Sequence, residues 1–176
     1  MNILESKNLF LRALEPEDLS FLYDTENNTD FWKVSETLKP FSKYILKKYL
    51  ENSHLDIFEA KQLRLVIVKK DTEERIGMID LFDYHPKHQR AGIGILILKE
   101  YQNQGYARES LEIFIKYAFT FIGLHQIYAN IPVNNKKSIS LFESMNFKRS
   151  GVKEDWIKKE TGFINVAFYQ LINQLN

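Results

Sequence analysis

The sequence predicts a single α/β domain in which one mixed sheet carries helices on both sides, and two observations support this. The chain has 176 residues and is 44% hydrophobic, which suits one domain with a substantial core. Its apolar residues switch between the two-residue period of strands and the longer period of helices, in the order β-α-α-β-β-β-α-β-α-β-β. No linker, repeat or low-complexity segment interrupts this order, so we expect residues 1–176 to form one domain.

The N-terminal part of the chain supplies one strand and two helices. Apolar residues at 9–14 predict the strand, and Pro16 with the acids after it suits the first turn of a helix that ends near residues 27–28. An irregular aromatic segment follows between residues 29 and 40. The second helix is predicted at 41–52, with one face made by Tyr44, Ile45, Lys48 and Tyr49.

The other strands and helices follow from shorter apolar segments. Strands are predicted at residues 63–68, 75–82, 90–98 and 126–131, a helix at 134–145, and a closing hairpin at 147–157 and 163–171. Gly92 and Gly94 lie on one face of the third of these strands. Because glycine weakens a strand, the pair predicts a bulge or a close approach by another backbone or by a ligand.

Residues 93–121 organise the domain. The apolar run at 93–98 predicts a strand that is buried on both faces. A polar turn leads from it into a helix whose apolar residues are spaced three and four apart, namely Leu111, Phe114, Ile115, Ala118, Phe119 and Ile122. Backbone N–H groups at a helix N-terminus are unpaired and the helix dipole is positive there, which makes an anion site. Gly105 and Ala107 are small enough to let the chain approach a phosphate closely.

Two other interpretations of this stretch are an ordinary strand-to-helix connection and a Rossmann dinucleotide site. One glycine alone does not exclude the first. The second requires three small residues at the G-x-G-x-x-G spacing and an acidic residue at the end of the next strand. That strand ends with Ala-Asn-Ile-Pro at 129–132, which contains no acid, so the Rossmann interpretation fails.

Composition excludes several further classes of function. A formal net charge of +1 gives no electrostatic attraction to nucleic acid or to an anionic membrane. The chain has no cysteine, which excludes thiol catalysis, thiolate metal sites and disulfides. His85 and His88 share a turn but have no third ligand beside them, so we expect no metal site. No signal peptide and no apolar run of roughly 20 residues is visible, so we expect a cytoplasmic protein.

Two motifs resemble the GNAT superfamily of acyl-CoA-dependent N-acyltransferases. Gln102-x-x-Gly105-x-Ala107 resembles the Gln/Arg-x-x-Gly-x-Gly/Ala loop that holds the coenzyme A pyrophosphate. Residues 135–147 resemble the Asn-x-x-Ala/Ser-x-x-Leu-Tyr-x-x-x-Gly-Phe segment that packs against coenzyme A. The second segment also has the pattern of an amphipathic helix with one face in the core, and such a helix can at the same time pack against coenzyme A. Two motifs in the family's order, about 30 residues apart with a strand between them, identify the chain as a member of the superfamily.

The resemblance implies a largely antiparallel mixed sheet and a site for acetyl-CoA. Backbone groups of Ile95, Leu96 and Ile97 would bind the acetyl-pantetheine arm. The pyrophosphate would lie on Gln102, Asn103, Gln104, Gly105, Tyr106 and Ala107, while Asn135 and Phe142 would contact the coenzyme. Residues 11–12 with 17–19 look like the opening of the branch that contains ribosomal-protein N-terminal acetyltransferases and bacterial spermidine N-acetyltransferases. Within that branch, residues 88–91, 95–97 and 100–102 look most like the spermidine enzymes.

Three positions depart from the family pattern. The Tyr that often protonates the departing thiolate is Phe142, so the usual general acid is absent. Asn146 replaces a glycine, which is tolerable because Asn also adopts left-handed backbone angles. Gly92 stands where the spermidine enzymes carry an acid, and their Glu-rich segment is reduced here to residues 31–36.

The chemistry of amine acetylation points to acidic residues. An aliphatic amine has a pKa near 10.4, so it must lose a proton before it attacks a thioester, and a carboxylate or a water held by one must accept that proton. Asp80 and Asp83 are the candidate catalytic residues, and Glu36 and Asp83 are candidates for binding the acceptor. Asp83 has an equal alternative as a solubilising charge in a turn, and His88 is a further candidate base.

The predicted activity is transfer of the acetyl group of acetyl-CoA to a primary amine, with a polyamine or diamine such as spermidine as the acceptor. Two alternatives stay open. One is a protein or peptide N-terminal acetyltransferase, and the other is a non-catalytic acyl-CoA-binding sensor, because the usual tyrosine is Phe142. The expected partners are therefore a small amine or a peptide N-terminus, and a homo-oligomer also stays open.

Overall fold

Seven strands form one sheet in a computed structural model that describes residues 3–32, 35 and 37–174. The strands are β1 (Leu9–Ala13), β2 (Leu63–Lys69), β3 (Arg75–His85), β4 (Arg90–Ile97), β5 (Gln126–Pro132), β6 (Lys148–Lys159) and β7 (Gly162–Ile172). Their order in the sheet is β1-β2-β3-β4-β5-β7-β6, and each neighbouring pair is antiparallel except β4 and β5, which are parallel. The predicted mixed, largely antiparallel sheet is confirmed.

Helices cover both sides of the sheet. They are α1 (Leu19–Glu26), α2 (Thr29–Trp32), α3 (Lys43–Glu51), α4 (Ile57–Ala60), α5 (Tyr106–Thr120) and α6 (Lys136–Ser144). Buried residues of α5 and α6 belong to the larger apolar cluster, while Leu22 of α1 and Leu46 of α3 pack in a smaller cluster with Val66 and Met78. The short helices α2 and α4 were not predicted from the sequence. None of the helices in the described part of the chain is long and apolar enough to cross a membrane.

The first helical turn is anchored by the buried carboxylate of Asp18. Arg12 donates to both oxygens of this carboxylate at 2.7 and 2.9 Å, and Arg75 donates to Oδ1 at 3.1 Å. The backbone N–H of Glu15 adds a fourth hydrogen bond at 2.8 Å. Burial alone would raise the pKa of Asp18, but these hydrogen bonds hold it below its usual value. The carboxylate therefore ties β1, β3 and the start of α1 together.

The buried face of α3 differs from the face formed by Tyr44, Ile45, Lys48 and Tyr49. Tyr44 and Ile45 are exposed, whereas Leu46 and Leu50 are buried against the smaller cluster. Either pair of positions could form the apolar face of a helix, and the side on which the sheet lies determines which pair is buried.

The strands β4 and β5 separate soon after they meet. Among the described residues, their pairing runs from Arg90 with Gln126 to Gly92 with Tyr128. Beyond Gly92, β4 continues beside β3 alone, and β5 continues beside β7. A wedge-shaped gap therefore opens inside the sheet along the second half of β4.

This gap corrects the prediction of a strand buried on both faces at 93–98. The strand ends at Ile97, and its residues 94–96 are only half-buried, although Ile93 and Ile97 are buried. The expected irregularity lies beside the first of the two glycines, because the pairing of β3 with β4 is regular from Gly77 to Phe82, the partner of Gly92, and shifts between Phe82 and His85. A Cβ atom on Gly92 would overlap the ring of Phe82, so a side chain of the neighbouring strand makes the close approach.

Candidate active site

A cavity of about 400 Å³ opens in the gap between β4 and α6. Eight of the residues predicted to contact coenzyme A line it, namely Ile95, Leu96, Ile97, Gln102, Asn103, Gly105, Ala107 and Asn135. Its other lining residues are Phe31, Tyr101, Arg108, Lys137, Ser138 and Leu141. We call it the first cavity. Residues far apart in the sequence therefore meet around one space, as the two motifs predicted.

The loop that enters α5 has the backbone of an anion site. Asn103 and Gly105 adopt left-handed conformations, with φ of 61° and 86°. Gly105 directly precedes Tyr106, the first residue of the helix. A Cβ on Gly105 would meet no described atom within 4 Å, so backbone conformation and not crowding favours glycine in the free protein. The first amides of α5 remain available to an anionic ligand.

The glutamine side chains of this loop are used to hold its shape. Gln102 donates from Nε2 to the carbonyl oxygen of Ile97 at 3.0 Å, which fixes the loop to the end of β4. Gln104 donates from Nε2 to the carbonyl oxygen of Glu100 at 2.9 Å. The loop therefore offers a ligand its backbone amides and not these side-chain amides.

Cationic side chains flank the outer part of the first cavity. Arg108 on α5 donates to Glu112 at 2.9 Å and to Ser144 at 3.3 Å, which links α5 to α6. Lys137 lies in the first turn of α6, where Asn135 caps the helix by accepting from the N–H of Ser138 at 3.2 Å. Two positive charges and two helix N-termini thus face one space, which suits an anionic ligand.

Phe142 lies in the core beside the first cavity. Its side chain is 4% exposed, and its ring packs edge to face against Phe147 with centroids 5.0 Å apart. Ile139 and Met145 also pack on the larger cluster, so the helix has the predicted core seam. Phe142, Gln104 and Tyr106 are not among the described residues that line the cavity.

A second cavity of about 210 Å³ adjoins the first. Phe31, Ile95 and Leu96 line both cavities, so ligands in the two spaces would meet beside the middle of β4. The remaining lining residues are Thr25, Glu26, Trp32, Ser35, Thr37, Arg64, Met78, Asp80 and Gly94. Two adjacent cavities that share lining residues form a site in which a group can pass from a ligand in one cavity to a ligand in the other.

Two carboxylates and one guanidinium carry the charge of the second cavity. Arg64 binds Glu26 with Nη1 to Oε1 at 2.6 Å, and its Nη2 lies 3.7 Å from Oδ2 of Asp80. Burial raises the pKa of Asp80, and the positive charge of Arg64 opposes this increase only in part. With both acids ionised, the three groups carry a net charge of −1, which favours a cationic ligand.

Glu26 and Arg64 were not predicted as site residues. The one available signal was a charged side chain inside the apolar run at 63–68, which is unusual for a strand that packs on both faces. Glu26 gave no signal, because an acid near the end of a helix is common on protein surfaces. Long-range packing brings the two residues together.

The structure places Asp83 apart from Asp80. Asp83 is exposed, with φ of 50°, where the pairing of β3 with β4 shifts after Phe82. Its Oδ2 lies 3.5 Å from the hydroxyl of Tyr128, and it is not among the described lining residues of either cavity. Glu36, the other predicted acceptor-binding acid, lies outside the described residues. The geometry thus favours Asp80 over Asp83 as a base.

His88 also lies away from the two cavities. It is in the turn between β3 and β4, where its ring lies 4.5 Å from that of His85. Burial and the neighbouring His88 and Arg90 lower the pKa of His85. Neither histidine is one of the described residues that line these two cavities.

Comparison with known proteins agrees with this geometry. The family model described as the acetyltransferase (GNAT) domain matches residues 8–148. The spermidine N(1)-acetyltransferase of Vibrio cholerae is 30% identical over 149 residues, which are 83% of this chain and 82% of that protein. An uncharacterized N-acetyltransferase, p20 of Bacillus licheniformis, is 27% identical over 99% of this chain and 98% of its own length.

Solved structures show the same fold. The crystal structure of spermidine N-acetyltransferase from Vibrio cholerae in complex with CoA and spermine has a TM-score of 0.83 at 27% identity, covering 95% of this chain and 96% of that one. A dodecameric structure of the Vibrio cholerae enzyme has a TM-score of 0.79 at 27% identity, with 95% of each chain covered. The chain therefore belongs to the acetyltransferase (GNAT) domain family and is an N-acetyltransferase that uses acetyl-CoA.

Proposed function

We propose that this enzyme acetylates a primary amine of a polyamine or diamine, with spermidine as a representative acceptor. The observation that carries the proposal is that two cavities meet at Ile95 and Leu96. The smaller cavity contains two carboxylates and only one guanidinium, so it carries net negative charge when both acids are ionised. The relatives named as spermidine acetyltransferases, and the neighbour structure with bound CoA and spermine, support the same acceptor class.

In this proposal the first cavity binds acetyl-CoA. Backbone groups of β4 at Ile95 and Ile97 face the gap left by β5, whereas Leu96 pairs with β3, so these alternate groups can bind the pantetheine arm as a neighbouring strand would. The loop at residues 102–107 receives the pyrophosphate on its amides. Arg108 and Lys137 lie where further phosphate charge can be neutralised.

Asp80 acts as the base that takes a proton from the acceptor. Its Oδ1 lies 3.0 Å from where a Cβ of Gly94 would stand, so the carboxylate sits directly over the middle of β4. Because burial raises its pKa, this carboxylate is a better proton acceptor than an exposed one. An ammonium group that enters the cavity is attracted by Glu26 and Asp80 and gives up its proton to Asp80 or to a water on it.

The side chain at residue 142 supplies no proton to the leaving thiolate. A thiol resembling cysteine has a pKa near 8.5, so its departure unprotonated at pH 7 forgoes about 1.5 units, or roughly 2 kcal/mol. If the adduct of amine and thioester expelled the amine instead, a far more basic group would have to leave. Collapse of this adduct toward the acetylated product therefore stays favoured. Phe142 therefore reduces the rate without abolishing the reaction.

Phe142 is also the specific observation that favours a second candidate function, a non-catalytic sensor of acyl-CoA. One experiment separates the two functions: release of free thiol from acetyl-CoA in the presence of polyamines, diamines and short peptides. We expect turnover with the polyamines and diamines. Binding of acetyl-CoA without turnover on any amine or peptide would support the sensor, and turnover confined to peptides would support an N-terminal acetyltransferase.

The proposal extends to assembly and location. A Vibrio cholerae relative forms a dodecamer, and we propose that this chain is also a homo-oligomer that acts in the cytoplasm. The molar mass in solution, measured by light scattering, tests the assembly.

A further inference from the structure

We propose that Phe31 limits the length of the acyl group that the enzyme transfers, because it lies at the junction of the two cavities, where that group must be held. Leu96 is the strand residue that joins Phe31 at this junction. The inference rests on the proposed function in one respect, namely that the coenzyme occupies the first cavity and the acceptor amine occupies the second.

The acyl group has to lie where the two cavities meet. Once the ammonium group has given its proton to Asp80 or to a water on it, the amine nitrogen forms a bond to the acyl carbon. The carbon–sulfur bond then breaks and the thiolate leaves with the coenzyme, so the acyl carbon must be within reach of both ligands. The described residues that line both cavities are Phe31, Ile95 and Leu96. All three are apolar, whereas each charged lining residue belongs to one cavity only.

Two of these three residues lie outside the apolar core. Ile95 packs on the larger cluster. Phe31 and Leu96 are half-buried, and neither is among the described members of the larger or the smaller cluster. An apolar side chain that is half-buried beside a cavity loses further contact with water when an apolar part of a ligand enters. Phe31 and Leu96 are therefore suited to contact the methyl group of the acetyl thioester.

Leu96 lies on the face of the sheet that carries Asp80. Leu96 pairs with Met78 and Gly94 pairs with Asp80, and residues that are opposite each other or two apart in a sheet share a face. Met78 and Asp80 both line the second cavity. Because Gly94 has no side chain, Leu96 supplies the apolar surface of β4 next to Asp80. An acyl group at this position lies between the coenzyme and the proposed base.

Hydrogen bonds fix the backbone that carries Phe31. Its N–H donates to the carbonyl oxygen of Asn28 at 3.0 Å, and its carbonyl oxygen accepts from the N–H of Ser35 at 3.0 Å. The next residue, Trp32, donates from Nε1 to the carbonyl oxygen of Glu26 at 2.6 Å, which ties α2 to the end of α1. A side chain on a backbone held in this way can set a limit on the size of the group beside it.

Binding of two acyl-CoA molecules of different length tests the inference without any turnover. Isothermal titration gives the Kd for acetyl-CoA, butyryl-CoA and free coenzyme A. We expect the wild type to bind butyryl-CoA about tenfold or more weakly than acetyl-CoA, because two added methylenes must fit against Phe31. Phe31→Ala should reduce this ratio roughly fivefold and leave the Kd for free coenzyme A as in the wild type. The ratio of kcat/KM for the two donors, with spermidine as acceptor, should change in the same direction.

Leu96→Ala should also reduce the Kd ratio, and it carries the test if Phe31→Ala does not fold. Phe121→Ala is the control, because it removes a phenylalanine ring that is 72% exposed at the end of α5 opposite Gly105. This control should leave both ratios at their wild-type values.

The inference is overturned if the wild type binds both acyl-CoA molecules equally, or if folded Phe31→Ala and Leu96→Ala keep the wild-type Kd ratio. A Phe31→Ala variant in which only the KM for spermidine changes, equally with both donors, also overturns it, since Phe31 would then shape the acceptor cavity alone. These results leave the proposed function intact, because acetylation of amines is measured separately. A wild type that binds acetyl-CoA but acetylates no polyamine or diamine overturns the proposed function, and the Kd ratios then still show whether Phe31 limits the acyl group.

Discussion

Nη2 of Arg64 lies 3.7 Å from Oδ2 of Asp80, close enough for ion pairing but too far for a strong hydrogen bond. The same guanidinium binds Glu26 at 2.6 Å, and its Nε is buried without a hydrogen-bond partner among the described residues. Arg64 is therefore held mainly by Glu26, and the carboxylate of Asp80 keeps lone pairs for an incoming ammonium group. In the proposed function, Glu26 therefore positions the guanidinium and Asp80 accepts the proton.

Asp80→Asn should lower kcat/KM for the best amine by about 10²–10⁴-fold, the range for loss of a general base. The raised pKa of Asp80 predicts that wild-type activity falls as the pH drops through a value above the usual carboxyl range, since the base must be ionised. The variant should lose this acid limb and keep the wild-type Kd for acetyl-CoA. Asp71→Asn, in the exposed turn between β2 and β3, is the matched control. An acid limb that persists in Asp80→Asn would assign the base elsewhere.

Gly105→Glu should weaken acetyl-CoA binding about tenfold or more, because it places a negative charge beside the amides that receive the pyrophosphate. Isothermal titration of the folded protein measures this effect. A side chain at this position also suffers from the left-handed backbone, with φ of 86°. Gly105→Asn controls for that strain, since Asn tolerates the same conformation without charge. Equal Kd values for Gly105→Glu and the wild type would show that the pyrophosphate binds in another place.

Phe142→Tyr should raise kcat by less than about tenfold, because only part of the roughly 2 kcal/mol forgone on thiolate departure is felt in the barrier. The Kd for acetyl-CoA should stay near the wild-type value. Phe147→Tyr adds a hydroxyl to the neighbouring buried ring and serves as the control. If the wild-type protein shows no turnover and only the Phe142→Tyr variant is active, the wild type is not an enzyme and the interpretation as an acyl-CoA sensor is supported.

Asp18→Asn should destabilise the fold at pH 7 by about 1–3 kcal/mol, because it breaks a buried carboxylate's hydrogen bonds to Arg12 and Arg75. The folded-state pKa of Asp18 is lowered, so its contribution is present above the unfolded pKa near 3.9 and is lost as the pH falls through the lower folded value. Denaturant unfolding at pH 7, 4 and 3 should therefore show a shrinking difference between variant and wild type. A difference that stays constant with pH, or one matched by exposed Glu17→Gln, would refute this role.

Local patterns predicted the elements and the loop of the site, because both depend on neighbouring residues. The sequence around Gly105 specifies a left-handed turn before a helix, and the structure has that turn. The inner face of α3 was not predictable, since Tyr44 and Leu46 both belong to plausible helical faces and only the position of the sheet distinguishes them.

The charge of the second cavity could not be predicted from the sequence without knowledge of the fold. Glu26 and Arg64 lie 38 residues apart and meet only because α1 packs beside β2 and β3. The separation of Asp80 from Asp83 was available from the sequence, because residues three apart on a strand lie on opposite faces. The shift in strand pairing after Phe82 was hidden. Alternation along a strand does not reveal such a shift before its partner is known.

The early separation of β4 from β5 gives the sheet two internal edges in addition to the outer edges of β1 and β6. Exposed strand edges invite pairing with other protein chains and so promote aggregation. Here the two internal edges face each other across a gap that narrows toward Gly92, where β4 and β5 pair. The same geometry that opens the candidate site therefore keeps its two strand edges inside the sheet.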